Sequence, residues 1–207
     1  MAKDYSEDLL IQKSTAELLE QELGWKSVYA FDNEVLGEQG TLGRKSQHEV
    51  VLTRHLRIAL KRLNPWMTDK QLTEAIERMT SYMSSQTLMQ INEEKYQYLR
   101  DGVPVTRLKP NGETEQVRAR VIDFVNVDNN EFIAVRELWI KGPIHKRRAD
   151  VVCFVNGLPL IFIELKNHDQ DIQNAYTDNY RDYLDTIPHL FHHNAMIMLS
   201  NGMESRV

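Results

Sequence analysis

Two apolar runs joined by Asn156-Gly157 constrain this chain more than any other feature. The first, Val151 to Val155, follows Arg147-Arg148-Ala149-Asp150, and the second, Leu158 to Ile163, leads into Glu164-Leu165-Lys166-Asn167. Both are short, rich in Val, Ile and Phe and bounded by polar residues, so they read as buried strands. Asn-Gly between them is the strongest short hairpin signal. Side chains alternate faces along a strand, so register decides which charged residues meet. A two-residue loop sets Asp150 opposite Ile163, whereas a three-residue loop ending at Leu158 sets it opposite Glu164, on whose face Lys166 also lies. Pro159 can donate no ladder hydrogen bond, which favours a longer or bulged turn, and the odd loop is the expectation.

Two carboxylates side by side with an ammonium two residues on suit the holding of Mg²⁺ against a phosphodiester. Mg²⁺ takes oxygen ligands and is usually held by one or two carboxylates together with substrate phosphate. Asp150 and Glu164 are the candidate metal ligands, the Leu165 carbonyl is a third, and Lys166 would orient an attacking water and counter phosphate charge. The bland alternative is an ion pair at a strand end. An acid-x-Lys triplet alone is weak, because Glu93-Glu94-Lys95 supplies another in a helix-like run without a strand leading into it.

Arg148-Ala149-Asp150, Asn156-Gly157-Leu158-Pro159-Leu160 and Ile163-Glu164-Leu165-Lys166-Asn167 resemble the N-terminal nuclease domain of type I restriction enzyme R subunits, which are PD-(D/E)XK nucleases. Tyr98 to Val103, Ile187-Pro188-His189-Leu190-Phe191, Ser200-Asn201-Gly202, Tyr5-Ser6-Glu7-Asp8 and Leu23-Gly24-Trp25 extend the similarity over most of the chain. The resemblance implies a restriction-endonuclease-like mixed β-sheet flanked by helices, with catalytic Asp150, Glu164 and Lys166 and with Mg²⁺, replaceable by Mn²⁺, as cofactor. It further implies double-stranded DNA as substrate and methyltransferase (M) and specificity (S) subunits as partners, with ATP used only by motor domains outside this sequence. In such nucleases a helix carries Gln-x-x-x-Tyr; aligned back from Ile187-Pro188, Asn179 stands at the glutamine and Tyr183 at the tyrosine. Glu7 is an auxiliary acid of family type, or an acid complementing its helix dipole.

At 207 residues the chain can bury a proper core as a single domain, and its end shortly after a strand suggests a piece of a longer motor subunit. Composition, 42% apolar and 27% charged, is that of an ordinary globular protein, without a signal peptide or membrane span, which reads as cytoplasmic. The lone Cys153 lies in a strand and suits a packing role. A net charge of −5 gives no overall field favouring DNA, so contacts must come from local patches. Lys141, His145, Lys146, Arg147 and Arg148 form one beside Asp150, with Lys146, Arg147 and Arg148 the DNA-binding candidates. Arg54, Arg57 and Lys61 form a weaker one on a helix face.

Residues 6–23 read as a helix capped by Ser6 and stopped by Gly24, and 27–31 as a short strand. The Gly37 to Ser46 loop fails as a phosphate loop, having five residues between Gly37 and Gly43 and Arg44 in place of lysine. Ser46-x-x-Glu49 and Thr68-x-x-Gln71 read as capping boxes, and a further helix spans 86–100, giving a helical layer or insertion over about 44–100. From Val103 the period becomes that of strands: 103–109, 117–125, 132–140 and 150–165 suggest neighbouring antiparallel strands in one sheet over 103–200. The apolar faces of 151–165 call for cover on both sides, hence α/β/α layers. A helix over 172–185 and a strand over 195–199 complete a crossover, so the last strand should run parallel to a predecessor.

The seven histidines show no metal-ligand spacing. Two rival functions remain, a stand-alone repair or recombination nuclease and a catalytically silent docking module.

Overall fold

The computed structural model describes residues 7–166 and 172–207, without the side chains of 7–11, 174, 175 and 178. The chain runs α1 (Glu7–Leu23), β1 (Lys26–Tyr29), α2 (Thr53–Leu63), α3 (Asp69–Thr80), α4 (Leu88–Asp101), β2 (Val103–Leu108), β3 (Thr114–Ala119), β4 (Phe132–Lys141), β5 (Lys146–Val155) and β6 (Leu158–Leu165). It continues through α5 (Ile172–Asn174), a π-helical stretch (Ala175–Tyr180), α6 (Arg181–Thr186), β7 (Met196–Ser200) and β8 (Ser205–Arg206).

A mixed six-stranded sheet, ordered β1-β4-β5-β6-β7-β8, organises the fold. The central strands β4, β5 and β6 are antiparallel, while β1 lies parallel to β4 and β7 parallel to β6, as the crossover requires. Phe154, Phe162 and Leu138 pack with Tyr183, Leu190 and Phe191. Val151, Cys153, Ile163 and Leu165 pack with Leu19 and Trp25 beside α1. This cover on both faces makes the α/β/α, restriction-endonuclease-like arrangement expected for a sheet centre apolar on both sides.

The helical layer is real and has its own core, in which Leu56, Leu60, Leu72 and Met79 meet Val103, Val105 and Ala119. Thr68 and Thr87 both close capping boxes, with Gln71 and Gln90. The expected box at Ser46 and Glu49 does not start a helix. Glu49 accepts from the Lys45 N–H at 2.9 Å instead of from Ser46, so this segment is a polar turn and α2 begins at Thr53. Leu52 N–H instead donates to Gly157 O at 2.8 Å, tying the layer to the hairpin.

The four-strand expectation also needs correction, because β2 and β3 form a separate two-stranded sheet. The strand read over 117–125 stops at Ala119. Asn64 takes both backbone groups of Arg120 (2.8 and 2.7 Å), and Asp123 accepts from the Val125 and Asn126 N–H groups, each at 3.1 Å. Side chains thereby take the hydrogen bonds a ladder would need.

The hairpin turn differs from the odd loop as well. Val155 pairs with Leu158, so only Asn156 (φ 51°) and Gly157 (φ 82°) lie in the turn. Parity switches two residues later, where Cys153 pairs with Ile161 and Phe154 with Pro159, leaving Leu160 as a bulge. The shifted register, Val151 with Ile163, carries Asp150 to Glu164 one step on. A Cβ on Gly157 would stand 2.5 Å from Leu52 O. Gly157→Ala is therefore expected to cost on the order of 2 kcal/mol or more, through both left-handed strain and displacement of α2. Urea unfolding at matched pH measures it.

Candidate active site

The bulged register and the end of β6 bring Asp150, Glu164 and Lys166 to one cavity of about 690 Å³, which Asn179, Glu137 and Arg148 also line. Asp150 is fixed from two sides: Gln12 Nε2 donates to Oδ1 at 3.1 Å and Leu165 N–H to Oδ2 at 2.8 Å. Glu164 is 0% exposed. Its Oε1 accepts from Asn179 Nδ2, while its buried Oε2 has no hydrogen-bond partner among the described residues. Lys166 Nζ donates to Asn179 Oδ1 at 2.9 Å, and Lys166 N–H is anchored on Ser200 O at 2.8 Å.

Asn179 is thus a bridge between acid and lysine, and its reach is sufficient despite being one methylene shorter than glutamine. It belongs to the π-helical stretch, a winding that recurs at functional sites. Tyr183 acts differently: its hydroxyl donates to Arg148 O at 2.9 Å and its ring meets Phe162 edge-on at 5.6 Å. It braces β5 against α6. The Glu7 side chain lies outside the described residues. The first helix instead contributes Gln12, 3% exposed, with its Oε1 buried and without a hydrogen-bond partner among the described residues. Sequence reasoning missed Gln12 because only tertiary packing brings α1 over Asp150.

The basic candidates differ in their partners. Lys146 Nζ sits 4.1 Å from the Trp139 ring centroid. Arg147 is held by Asp182, with Nη2 donating to Oδ1 at 2.9 Å. Arg148 pairs through Nε with Glu137 at 2.6 Å and lies over Phe31 at 5.0 Å. On α2, Arg54 donates to the carbonyls of Glu38, Gly40 and Thr41 and Arg57 to Thr73, so those two hold loop and helix together. The second acid-x-Lys triplet is equally structural: Lys95 is buried and donates to Arg78 O at 2.7 Å and Ser81 O at 2.6 Å.

Burial raises the proton affinity of both acids. It pushes the Asp150 carboxyl up to about 7, with Leu165 N–H opposing and the Glu137 charge reinforcing. Burial, then the Asp150 charge, pushes Glu164 well above the usual carboxylate range. Two facing carboxylates that resist shared ionisation, one with an unpartnered buried oxygen, form a donor set suited to a hard divalent cation. No group of three or more His, Cys, Asp or Glu side chains suited to a metal occurs among the described residues, so such a cation would rest on this pair and backbone oxygen.

A carboxyl whose folded pKa is raised gives stability that is full below its unfolded pKa and is lost as pH rises through the folded one. For Asp150 that window runs from about 4 to about 7. Without divalent cation, Asp150→Asn is expected to be more stable than the parent at pH 8, by on the order of 2–4 kcal/mol. The two should converge near pH 4. Melting curves across pH check this, and equal stability at pH 8 would count against the strained pair.

Among the described residues no helix is long and apolar enough to cross a membrane. Residues 4–207 match the family model "Type I restriction enzyme R protein N terminus". The chain is 34% identical over 191 residues to "Type I restriction enzyme HindI endonuclease subunit" of Haemophilus influenzae, covering 90% of this chain and 18% of that protein. It is 26% identical over 210 residues to "Putative type I restriction enzyme MjaIXP endonuclease subunit" of Methanocaldococcus jannaschii, covering 99% and 19%. An endonuclease subunit of Staphylococcus aureus, SauMSSORF170P, is 25% identical over 89% of the chain. The chain spans about a fifth of the length of these relatives. With the family model matched along nearly its whole length, this chain belongs to the N-terminal family of type I restriction enzyme R proteins.

Proposed function

We propose that this chain is the Mg²⁺-dependent PD-(D/E)XK endonuclease domain of an ATP-dependent type I restriction enzyme, cleaving double-stranded DNA in the cytoplasm. The observation that carries this reading is the gathering of Asp150 and the buried Glu164 with the Asn179-bridged Lys166 in one cavity. Asp150, Glu164 and the Leu165 carbonyl would hold the cation, and Mn²⁺ would substitute. What such a cation supplies is Lewis-acid polarisation of a phosphoryl oxygen.

The protein's own groups do the rest. Asn179 fixes the Lys166 ammonium beside Glu164, where it counters charge developing on the phosphate and holds the attacking water by hydrogen bonding. Gln12 and Leu165 N–H prevent Asp150 from turning away. Arg148 at the cavity and Lys146 at its rim offer cationic contacts to the DNA backbone. Methyltransferase and specificity subunits would supply site recognition, and motor domains using ATP would deliver the DNA.

Plasmid cleavage with Mg²⁺ or Mn²⁺, over a range of salt and with and without ATP and partner subunits, tests the proposal. The assembled enzyme should linearise DNA in an ATP-dependent way. The chain alone should cut weakly, since the few cationic contacts that Arg148 and Lys146 offer support only weak binding, with dissociation constants of roughly 10⁻⁴ to 10⁻⁶ M or weaker at physiological salt. Efficient cutting by the chain alone would favour a stand-alone nuclease, and an assembled enzyme unable to cut would favour a docking module.

A further inference from the structure

A third carboxylate shares the cavity and has no part in the scheme above. Glu137 lies in β4 between Arg136, which pairs with Val151, and Leu138, which pairs with Ala149. The same register places it across from Asp150. Glu137, Asp150 and Glu164 therefore form a row over three adjacent strands. Glu137 is 1% exposed and has φ 57°, a left-handed conformation that a non-glycine residue in a strand rarely adopts. Strain of this kind persists where surrounding contacts enforce it, and it concentrates at functional sites.

Three acids in a cavity meant for a phosphodiester would repel the substrate unless one of them is neutralised. Arg148 supplies the neutralising charge. Its Nε meets Glu137 Oε2 at 2.6 Å, and the guanidinium lies 5.0 Å from the Phe31 ring centroid and 5.8 Å from that of Trp139. Arg148 is two residues from Asp150 on β5, hence on the same face. Its side chain stays 41% exposed while that of Glu137 is only 2% exposed, so the pair has a buried anchor and an open head. Guanidinium presents several donors in a rigid plane. With Nε engaged by Glu137 and the faces set against aromatic rings, the direction of the remaining N–H edge is fixed rather than sampled.

We infer that Glu137 is a positioning residue for the proposed cleavage reaction: its carboxylate, with Phe31 and Trp139, sets Arg148 at the cavity to grip a phosphodiester oxygen next to the one attacked. The inference rests on the nuclease reading of this site. Glu137 acts through Arg148 and is not a cation ligand in this scheme.

A double-mutant cycle in the assembled enzyme separates the possibilities. Arg148→Ala is expected to lower kcat/KM for DNA on the order of 10²-fold, and Glu137→Gly to give a comparable loss. Glycine accepts a positive φ without strain, so this variant keeps the backbone while removing the carboxylate. Combining the two should be no worse than Arg148→Ala alone. Glu137→Gln, whose amide oxygen still accepts from Nε, should recover part of the activity. Mn²⁺ binding measured by calorimetry should be the same in Glu137→Gln as in the parent. Losses that multiply in the double variant, or Mn²⁺ binding that falls in the Glu137 variants but not in Arg148→Ala, would overturn the inference and place Glu137 in the cation shell. Asp150→Ala, run alongside, reports on the nuclease reading itself, since cleavage surviving that substitution would remove the premise.

Discussion

Asp150→Ala and Glu164→Ala in the assembled enzyme are each expected to abolish detectable DNA cleavage, a loss of at least on the order of 10³-fold, while leaving ATP hydrolysis nearly unchanged. Neither side chain contributes to the apolar packing that holds the sheet, which comes from Val151, Phe154, Phe162 and Leu165 around them. Both acids are held at a free-energy cost, because burial opposes their ionised forms. Removing either relieves that cost, so the melting temperature should stay level or rise. A cleavage-dead protein of undiminished stability is the signature of a functional pair. Plasmid linearisation, ATPase rate and thermal melting on the same preparations measure it. Collapse of all three would instead mean that the acids build the fold.

Lys166→Ala should lower kcat on the order of 10²-fold or more, the effect of removing one preorganised charge from a transition state. Cation binding should change little. The Lys166 ammonium reaches Glu164 through Asn179, which donates to the acid and accepts from the lysine. Truncating the lysine frees the Asn179 oxygen but leaves its donation to Glu164 intact, so the acid remains in place. Single-turnover cleavage at saturating DNA separates this effect from binding. A large loss of cation binding in the variant would show instead that Lys166 organises the acids.

The meeting of Asp150 with Glu164 was legible from the Asn156-Gly157 signal and Pro159, yet the way the chain achieves it was not. A tight turn followed by a bulge at Leu160 gives the same register as an odd loop, and the uniformly apolar sequence on both sides of the turn carries no alternation to tell them apart. The helical layer was legible where Thr68 closes a capping box with Gln71. It was illegible at Ser46, where the same motif turns its glutamate to Lys45.

Glu137 was hidden for another reason. In an alternating strand one charged residue reads as a solvent position, and neither its left-handed backbone nor its place across from Asp150 is written in the residues adjacent to it. Gln12 likewise acquires meaning only when α1 crosses the sheet. The separation of β2 and β3 from the main sheet depends on Asn64 and Asp123, whose hydrogen bonds span residues that no short pattern connects.

The claim at the centre of this structure is that Asp150 and Glu164 together hold one divalent cation. Calorimetric titration of Mn²⁺ into the chain at pH 8, comparing the parent with Glu164→Gln and Asp150→Ala, addresses it without dependence on DNA, ATP or partner subunits. The expected result is a single saturable binding event in the parent that vanishes in both variants. Equal binding by all three proteins would contradict the claim and place the cation elsewhere.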